Sequence, residues 1–316
     1  MDNKSGERRD QGLRIMKNIS ACIFCAVFLL FCLSSGNVCA KSKKSDTEKI
    51  KVFVSILPQA YFVERVGGDR VDVSVMVGPG QSPATYEPMP RQMVELGKAK
   101  LFFSIGAPFE DVWMDRISSA HPKLKVIDTR RGVRLFPIKT HHHHEDTQHA
   151  EEYRGRKDPH IWLSLKLVKI QAKNICDALI SVDDVCTEYY RKNLKAFHDD
   201  LDKLDMEIEQ SLKGPGVRKF MVFHPAWGYF ARDYGLEQIP VEIGGKDPGA
   251  KELADLIEEA KNNGIKIIFV QKQFSEKSAE AIAAAIKGRI IQIDPLAKDY
   301  LNNMKMIVET FCRAIQ

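Results

Sequence analysis

The sequence predicts an α/β protein of two lobes with mostly parallel sheets flanked by helices, joined by one long backbone helix. Three observations carry this. Short apolar, β-rich runs alternate with helix-spaced segments before about residue 130, and again after about residue 218. Between Leu165 and Gly214 there is no strand signal, and helical spacing persists throughout. The chain has 316 residues, 44% hydrophobic and 28% charged, which is globular composition and length enough for two domains. Strand-helix alternation of this kind implies βα units around a parallel sheet.

The elements follow in order. Val52 to Leu57 is an apolar β-rich run, and Val71 to Val77 alternates with period two. Pro90 to Ala99 is helix-like, Leu101 to Ile105 is a short buried strand, Phe109 to Ala120 has helical spacing, and Lys123 to Ile127 is the next strand. Leu165, Val168, Ala172, Ile175 and Leu179 then mark one helix, which Ser181 to Asp184 breaks. A second helix runs from about Val185 to Leu212, with Leu194, Phe197, Leu201, Leu204 and Ile208 on one face. At 1.5 Å per residue it would be roughly 40 Å long, enough to cross a two-lobed molecule. Gly214-Pro215-Gly216 ends it. Strands are then expected at Phe220 to Phe223, Ile239 to Ile243, Ile265 to Val270 and Arg289 to Ile293. Helices at Ala250 to Asn262, Glu276 to Lys287 and Asn302 to Ile315 separate or follow them.

The boundaries expected are a signal peptide over 1–40, a flexible leader over 41–49, an N-terminal lobe over 50–182, the linking helix over 183–213 and a C-terminal lobe over 214–316. Ile19 to Leu33 is almost wholly apolar. Arg14 and Lys17 precede it, and Val38-Cys39-Ala40 follows. That is the order of a secretory signal, and the run is short for a membrane span. Met16 is an alternative start, and a retained anchor is the alternative reading. The protein is thus expected to be exported, to the periplasm or the outer face of the cytoplasmic membrane. Residues 1–40 contribute +2 of the net charge of +5, leaving +3 for the rest. So weak a bias argues against a nucleic-acid partner. Outside the signal the chain keeps Cys176, Cys186 and Cys312, without a Cys-x-x-Cys pair, so a thiolate zinc site is not expected. All three read as buried small hydrophobes.

Six of the nine histidines fall between Lys139 and Leu163. His141, His142, His143, His144 and His149 lie in a charged loop over 139–157, a composition that reads as a loose metal-binding tract. His160 follows it in Asp158-Pro159-His160-Ile161-Trp162. His224 follows the strand ending at Phe223 and precedes Pro225-Ala226-Trp227; Asp294 follows Ile293 and precedes Pro295-Leu296. The last two sit just past the C-terminal ends of strands, where open parallel sheets bind ligands. Two imidazoles and a carboxylate suit Zn²⁺ or Mn²⁺. Each residue also has a plainer reading: a histidine beside a tryptophan as a packed side chain, Asp-Pro as a turn, the His-rich run as an unselected polar insertion.

From about Val52 to Ile315 the chain resembles the cluster A-I solute-binding proteins of metal ABC transporters (ZnuA/TroA-like, zinc type). The resemblance rests on Gly80-Gln81-Ser82-Pro83-Ala84-Thr85-Tyr86-Glu87-Pro88, Asp158-Pro159-His160-Ile161-Trp162, Phe223-His224-Pro225-Ala226-Trp227 and Ile293-Asp294-Pro295-Leu296. It implies a metal site in the cleft between lobes, with His160, His224 and Asp294 as ligands. The residue after Ser-Pro in the first motif is usually a ligand histidine in that family, and here it is Ala84. The fourth donor is then water, Gln59 or Glu87, or a histidine of the loop. The resemblance further implies a monomeric receptor that delivers Zn²⁺ as its transported ligand, or Mn²⁺, to the membrane permease of an ABC importer, without catalysing a reaction. Two other readings are a zinc hydrolase and a surface adhesin. Against the hydrolase, the chain has no His-Glu-x-x-His and no glutamate in an obvious general-base position beside the ligands.

Overall fold

A computed structural model describes residues 48–138, 157–213, 218–274 and 277–315. The expected signal peptide over 1–40, most of the expected leader, and the His-rich run from 139 to 156 lie outside the described residues. Among the described residues no helix is long and apolar enough to cross a membrane.

The first lobe is a four-stranded, all-parallel sheet in the order β2-β1-β3-β4. Its strands are β1 (Ile50–Ile56), β2 (Val71–Val77), β3 (Leu101–Ser104) and β4 (Lys125–Asp128). β1 is central and buried at every residue but Lys51, which explains its unbroken apolar run: a parallel strand is covered on both faces. The covering helices are α1 (Leu57–Gly67), α2 (Pro90–Leu96) and α3 (Pro108–Ala120). The sequence pattern anticipates α2 and α3 but passes over α1. That helix starts directly at the end of β1, so no turn residues separate the two periodicities. Pro58 at its first turn, and the buried stripe Ala60, Phe62, Val63 and Val66, are its signature.

After the first lobe come α4 (Leu165–Ile180) and α5 (Thr187–Ser211). Ser164 caps α4, its Oγ accepting from the Leu167 amide at 3.2 Å. α5 has 25 residues, a length of about 37 Å. It is two residues shorter at its start than its periodicity implies, because residues 184–186 wind as a 3₁₀ turn. One face buries Tyr190, Phe197, Leu201, Leu204 and Ile208.

The second lobe repeats the design. Strands β5 (Lys219–Val222), β6 (Glu237–Pro240), β7 (Ile267–Gln271) and β8 (Arg289–Ile293) form a parallel sheet in the order β6-β5-β7-β8. Its helices are α6 (Gly228–Asp233), α7 (Ala250–Asn262), α8 (Lys277–Ala285) and α9 (Tyr300–Ile315). α6 is too short for a periodic pattern to reveal. α5 packs against α4, against α1 of the first lobe and against α9 of the second. One hydrophobic core therefore runs through both lobes, from Ile50 to Phe311; a smaller one fills the far side of the second sheet around Met221, Ile239, Leu256, Ile268 and Ile282. Cys176 is inside the larger core, where burial pushes its thiol up to about 11. Cys186 and Cys312 pack on the edge of that core and are only partly buried, short of the full burial expected of them.

In each sheet the chain reverses its direction of travel between the two central strands, β1 and β3 in one, β5 and β7 in the other. The crevice past the carboxyl ends of such strands is where open parallel sheets bind ligands.

Candidate metal centre

His224 stands at that switch point of the second sheet. The strand alignment ends with the Phe223 amide donating to the Phe269 carbonyl at 2.8 Å. Pro225 follows, and a proline there disfavours helical backbone at residue 224. Gln271, the last residue of β7, brackets it. Its Oε1 accepts from the His224 amide at 3.2 Å, and its Nε2 donates to the His224 carbonyl at 2.9 Å. The ring's Nδ1 lies 2.8 Å from Oε1 of Glu242, a buried residue just past β6.

His160 sits on a strap that crosses between the lobes. Lys157 bridges to Pro137, and the Asp158 amide donates to the Phe136 carbonyl at 2.7 Å. Residues 161–163 wind as a 3₁₀ turn. The second lobe grips the strap at three points: Tyr229 Oη donates to the Asp158 carbonyl (3.0 Å), Tyr300 Oη to the Trp162 carbonyl (2.7 Å), and Trp162 Nε1 to the Pro295 carbonyl (2.8 Å). Asp158 Oδ1 accepts from the His160 amide at 2.9 Å and lies 2.6 Å from His160 Nδ1.

The two rings meet. His160 Nε2 and His224 Nε2 are 3.2 Å apart, with ring centroids 5.1 Å apart at 73°. Each imidazole presents its Nδ1 to a buried carboxylate. A ring proton placed on Nδ1 would be shared with that carboxylate and would leave the Nε2 lone pair free, the usual arrangement behind metal-binding histidines. Two lone pairs facing each other repel unless a cation or a proton lies between them. Two Zn–N bonds of about 2.0–2.1 Å at the tetrahedral angle separate their nitrogens by about 3.3 Å. The observed spacing fits that requirement.

The other candidates are placed differently. Asp294 follows β8; its Oδ1 accepts from the Leu296 amide at 2.9 Å, and Asn303 Nδ2 donates to its carbonyl at 2.7 Å. The Trp162–Pro295 bond ties the turn beside it to the His160 strap. Yet among the described residues no group of three or more His, Cys, Asp or Glu side chains stands close enough to hold a metal ion. The histidine pair is thus assembled, and Asp294 is near it in topology without joining it. Gln59 is fully buried with its amide committed: Oε1 accepts from the amides of Ser55 and Ile56, and Nε2 donates to the Ser104 carbonyl and Thr129 Oγ1. It offers no free donor atom to a metal. Glu87 and Ala84 are exposed, and the Ala84 amide donates to Ser82 Oγ. His141 to His144 and His149 lie outside the described residues.

Three residues of the site, Asp158, Glu242 and Gln271, were not among those the sequence pointed to. Asp158 carried a signal, since an aspartate two residues before another amide readily folds back on it. Glu242 and Gln271 carried none, because both meet His224 only through the packing of neighbouring strands.

Residues 52–314 match the protein family described as ZnuA, zinc-uptake complex component A, periplasmic. The chain belongs to this family. A crystal structure of ZnuA is 41% identical in sequence, with a TM-score of 0.78 over 84% of this chain and 99% of that one. The high-affinity zinc uptake system protein ZnuA of Bacillus subtilis is 27% identical over 271 residues, 84% of this chain and 85% of that protein. The manganese ABC transporter substrate-binding lipoprotein PsaA of Streptococcus pneumoniae is 28% identical over 280 residues, 85% of this chain and 86% of that protein. The two-lobed fold with a long linking helix is thus a ZnuA-family fold, as the motif resemblance implies.

Proposed function

We propose that this protein is the exported zinc receptor of an ABC-type metal importer. It binds Zn²⁺ between His160 and His224, passes it to a membrane permease and catalyses no reaction. The observation that carries the reading is the 3.2 Å approach of two Nε2 atoms whose Nδ1 atoms both face buried carboxylates. Asp294 is the third ligand in this reading, swinging its carboxylate in when the cation arrives, and water is the fourth. Gln59 is withdrawn from that role because its amide is spent. Two imidazoles favour zinc over manganese, which prefers oxygen-rich sets. The similarity to PsaA keeps Mn²⁺ as the competing cargo. Membership of a family described as a periplasmic uptake component, and the targeting segment over 1–40, support export and a permease partner.

The test is zinc titration of the protein lacking residues 139–156, so that the His-rich run does not contribute. His160→Ala and His224→Ala should each abolish tight, one-to-one binding. If both variants retain wild-type affinity, the site lies elsewhere.

A further inference from the structure

Glu242 and Gln271 leave one motion of His224 unconstrained. Gln271 holds its backbone, and Glu242 holds a single ring atom. A bond to one atom permits the ring to tilt about it, and tilt would swing Nε2 off the metal position. Phe274 blocks that tilt. Its ring is stacked on the His224 imidazole, with centroids 4.8 Å apart and planes 15° from parallel. It packs in turn against Phe223 at 5.5 Å. Its amide donates to the Gln271 carbonyl at 3.1 Å, so the residue that brackets the His224 backbone also anchors the ring that covers its side chain.

We propose that Phe274 is a positioning residue that fixes the plane of the His224 ring and sets how long zinc stays bound. This rests on His224 being a zinc ligand. The physical reason goes beyond packing. An imidazole that donates its lone pair to Zn²⁺ takes on part of the ion's positive charge. The negative face of a phenyl ring attracts a positive partner, most strongly where water is excluded. The stack therefore tightens when zinc binds and loosens when it leaves. An aliphatic side chain of similar size would fill the same space without that response.

Three variants of the full chain separate the possibilities: Phe274→Leu, Phe274→Tyr and His224→Ala. The measurements are the rate of zinc release into an excess of chelating dye and the melting temperature of the metal-free protein. Phe274→Leu should melt close to wild type yet release zinc faster by a factor of about 2 to 30, the range a cation–π contact of about 0.5 to 2 kcal/mol supplies. Phe274→Tyr should restore slow release. If Phe274→Leu releases zinc at the wild-type rate while His224→Ala abolishes binding, the positioning role is overturned and the receptor reading stands. The positioning role is equally overturned if Phe274→Tyr releases zinc as fast as Phe274→Leu. If the wild-type protein holds no zinc tightly, the receptor reading fails, and this inference with it.

Discussion

Asp158 and Glu242 do the same job for the two histidines, but the structure predicts that neutralising them has unequal effects. Asp158 Oδ1 accepts from the His160 backbone amide as well as facing Nδ1. In Asp158→Asn that amide keeps the carbonyl oxygen where it is, because a flipped amide would set two N–H groups against each other. The variant then loses only the charge on the acceptor. Hydrogen bonds to charged groups contribute about 1.5–3 kcal/mol and neutral ones about 0.5–1.5, so the loss is about 1 kcal/mol, or about fivefold in zinc affinity. Glu242 has no such lock, and its Oε2 has no hydrogen-bond partner among the described residues. In Glu242→Gln the amide is free to turn its NH₂ toward His224 Nδ1. That drives the ring proton to Nε2 and removes the lone pair zinc requires. The cost should approach the upper end of the roughly 10–100-fold typical of lost outer partners. Competition titration against a zinc chelator measures both. The asymmetry is refuted if Asp158→Asn weakens zinc as much as Glu242→Gln, or if neither shifts affinity by more than about twofold, about 0.4 kcal/mol.

Other consequences follow. Gln59→Ala strands the buried amides of Ser55 and Ile56, each costing about 1–3 kcal/mol, so chemical denaturation should show a loss of about 3 kcal/mol with zinc affinity unchanged; a tenfold fall in affinity, worth about 1.4 kcal/mol, would instead make Gln59 a ligand. Gly228→Ala brings a methyl 3.0 Å from Asp158 Oδ2 and 3.3 Å from Gln238 Nε2, so it should displace Asp158 and weaken zinc binding several-fold; unaltered titration would show that the pocket gives way. For Asp183, burial alone would raise the carboxyl pKa, but Tyr190 and Arg70 donate to it and outweigh that, leaving it lowered. A lowered folded value means its contribution is full above the unfolded value of about 3.9 and is lost as pH falls through the folded one. Asp183→Asn should therefore cost about 1–2 kcal/mol at neutral pH. Melting curves of the two proteins should converge in acid below about pH 4, and a gap that stayed constant would refute the assignment.

What the sequence makes legible is what repeats along it. The helix-spaced stripe of Phe197, Leu201, Leu204 and Ile208 reveals α5, because one face of that helix is buried over its whole length. His160 and His224 stand out through local context, each with a proline next to it, one of them directly after a strand. What stays hidden depends on approach in space. α1 is lost because it follows β1 without a break. Glu242 is an ordinary charged residue until the adjacency of β5 and β6 brings it 2.8 Å from an imidazole. Gln59 illustrates the reverse: its position after β1 is that of a ligand, and only the hydrogen bonds at both ends of its amide reveal a structural role.

The shared core bears on how zinc could be let go. Phe62 of α1 meets Tyr300 of α9 edge-to-face at 4.9 Å, and Tyr300 in turn holds the Trp162 carbonyl. All three rings are buried. Swinging the lobes apart would wet them. Buried aromatic side chains hide about 150–250 Å² each, and at about 25 cal/mol per Å² three of them represent roughly 10 kcal/mol or more. At about 1.4 kcal/mol per tenfold, a wide-open form costing that much is negligibly populated even in the metal-free protein. The Lys298–Glu64 ion pair at 2.7 Å, exposed on both sides, adds little to that barrier. If His160 and His224 hold the ion as proposed, release acts on that pair and the side chains around it rather than on the angle between lobes. Solution scattering with and without zinc should give the same radius of gyration, and a measurable contraction on adding zinc would show that the seam is weaker than its packing implies.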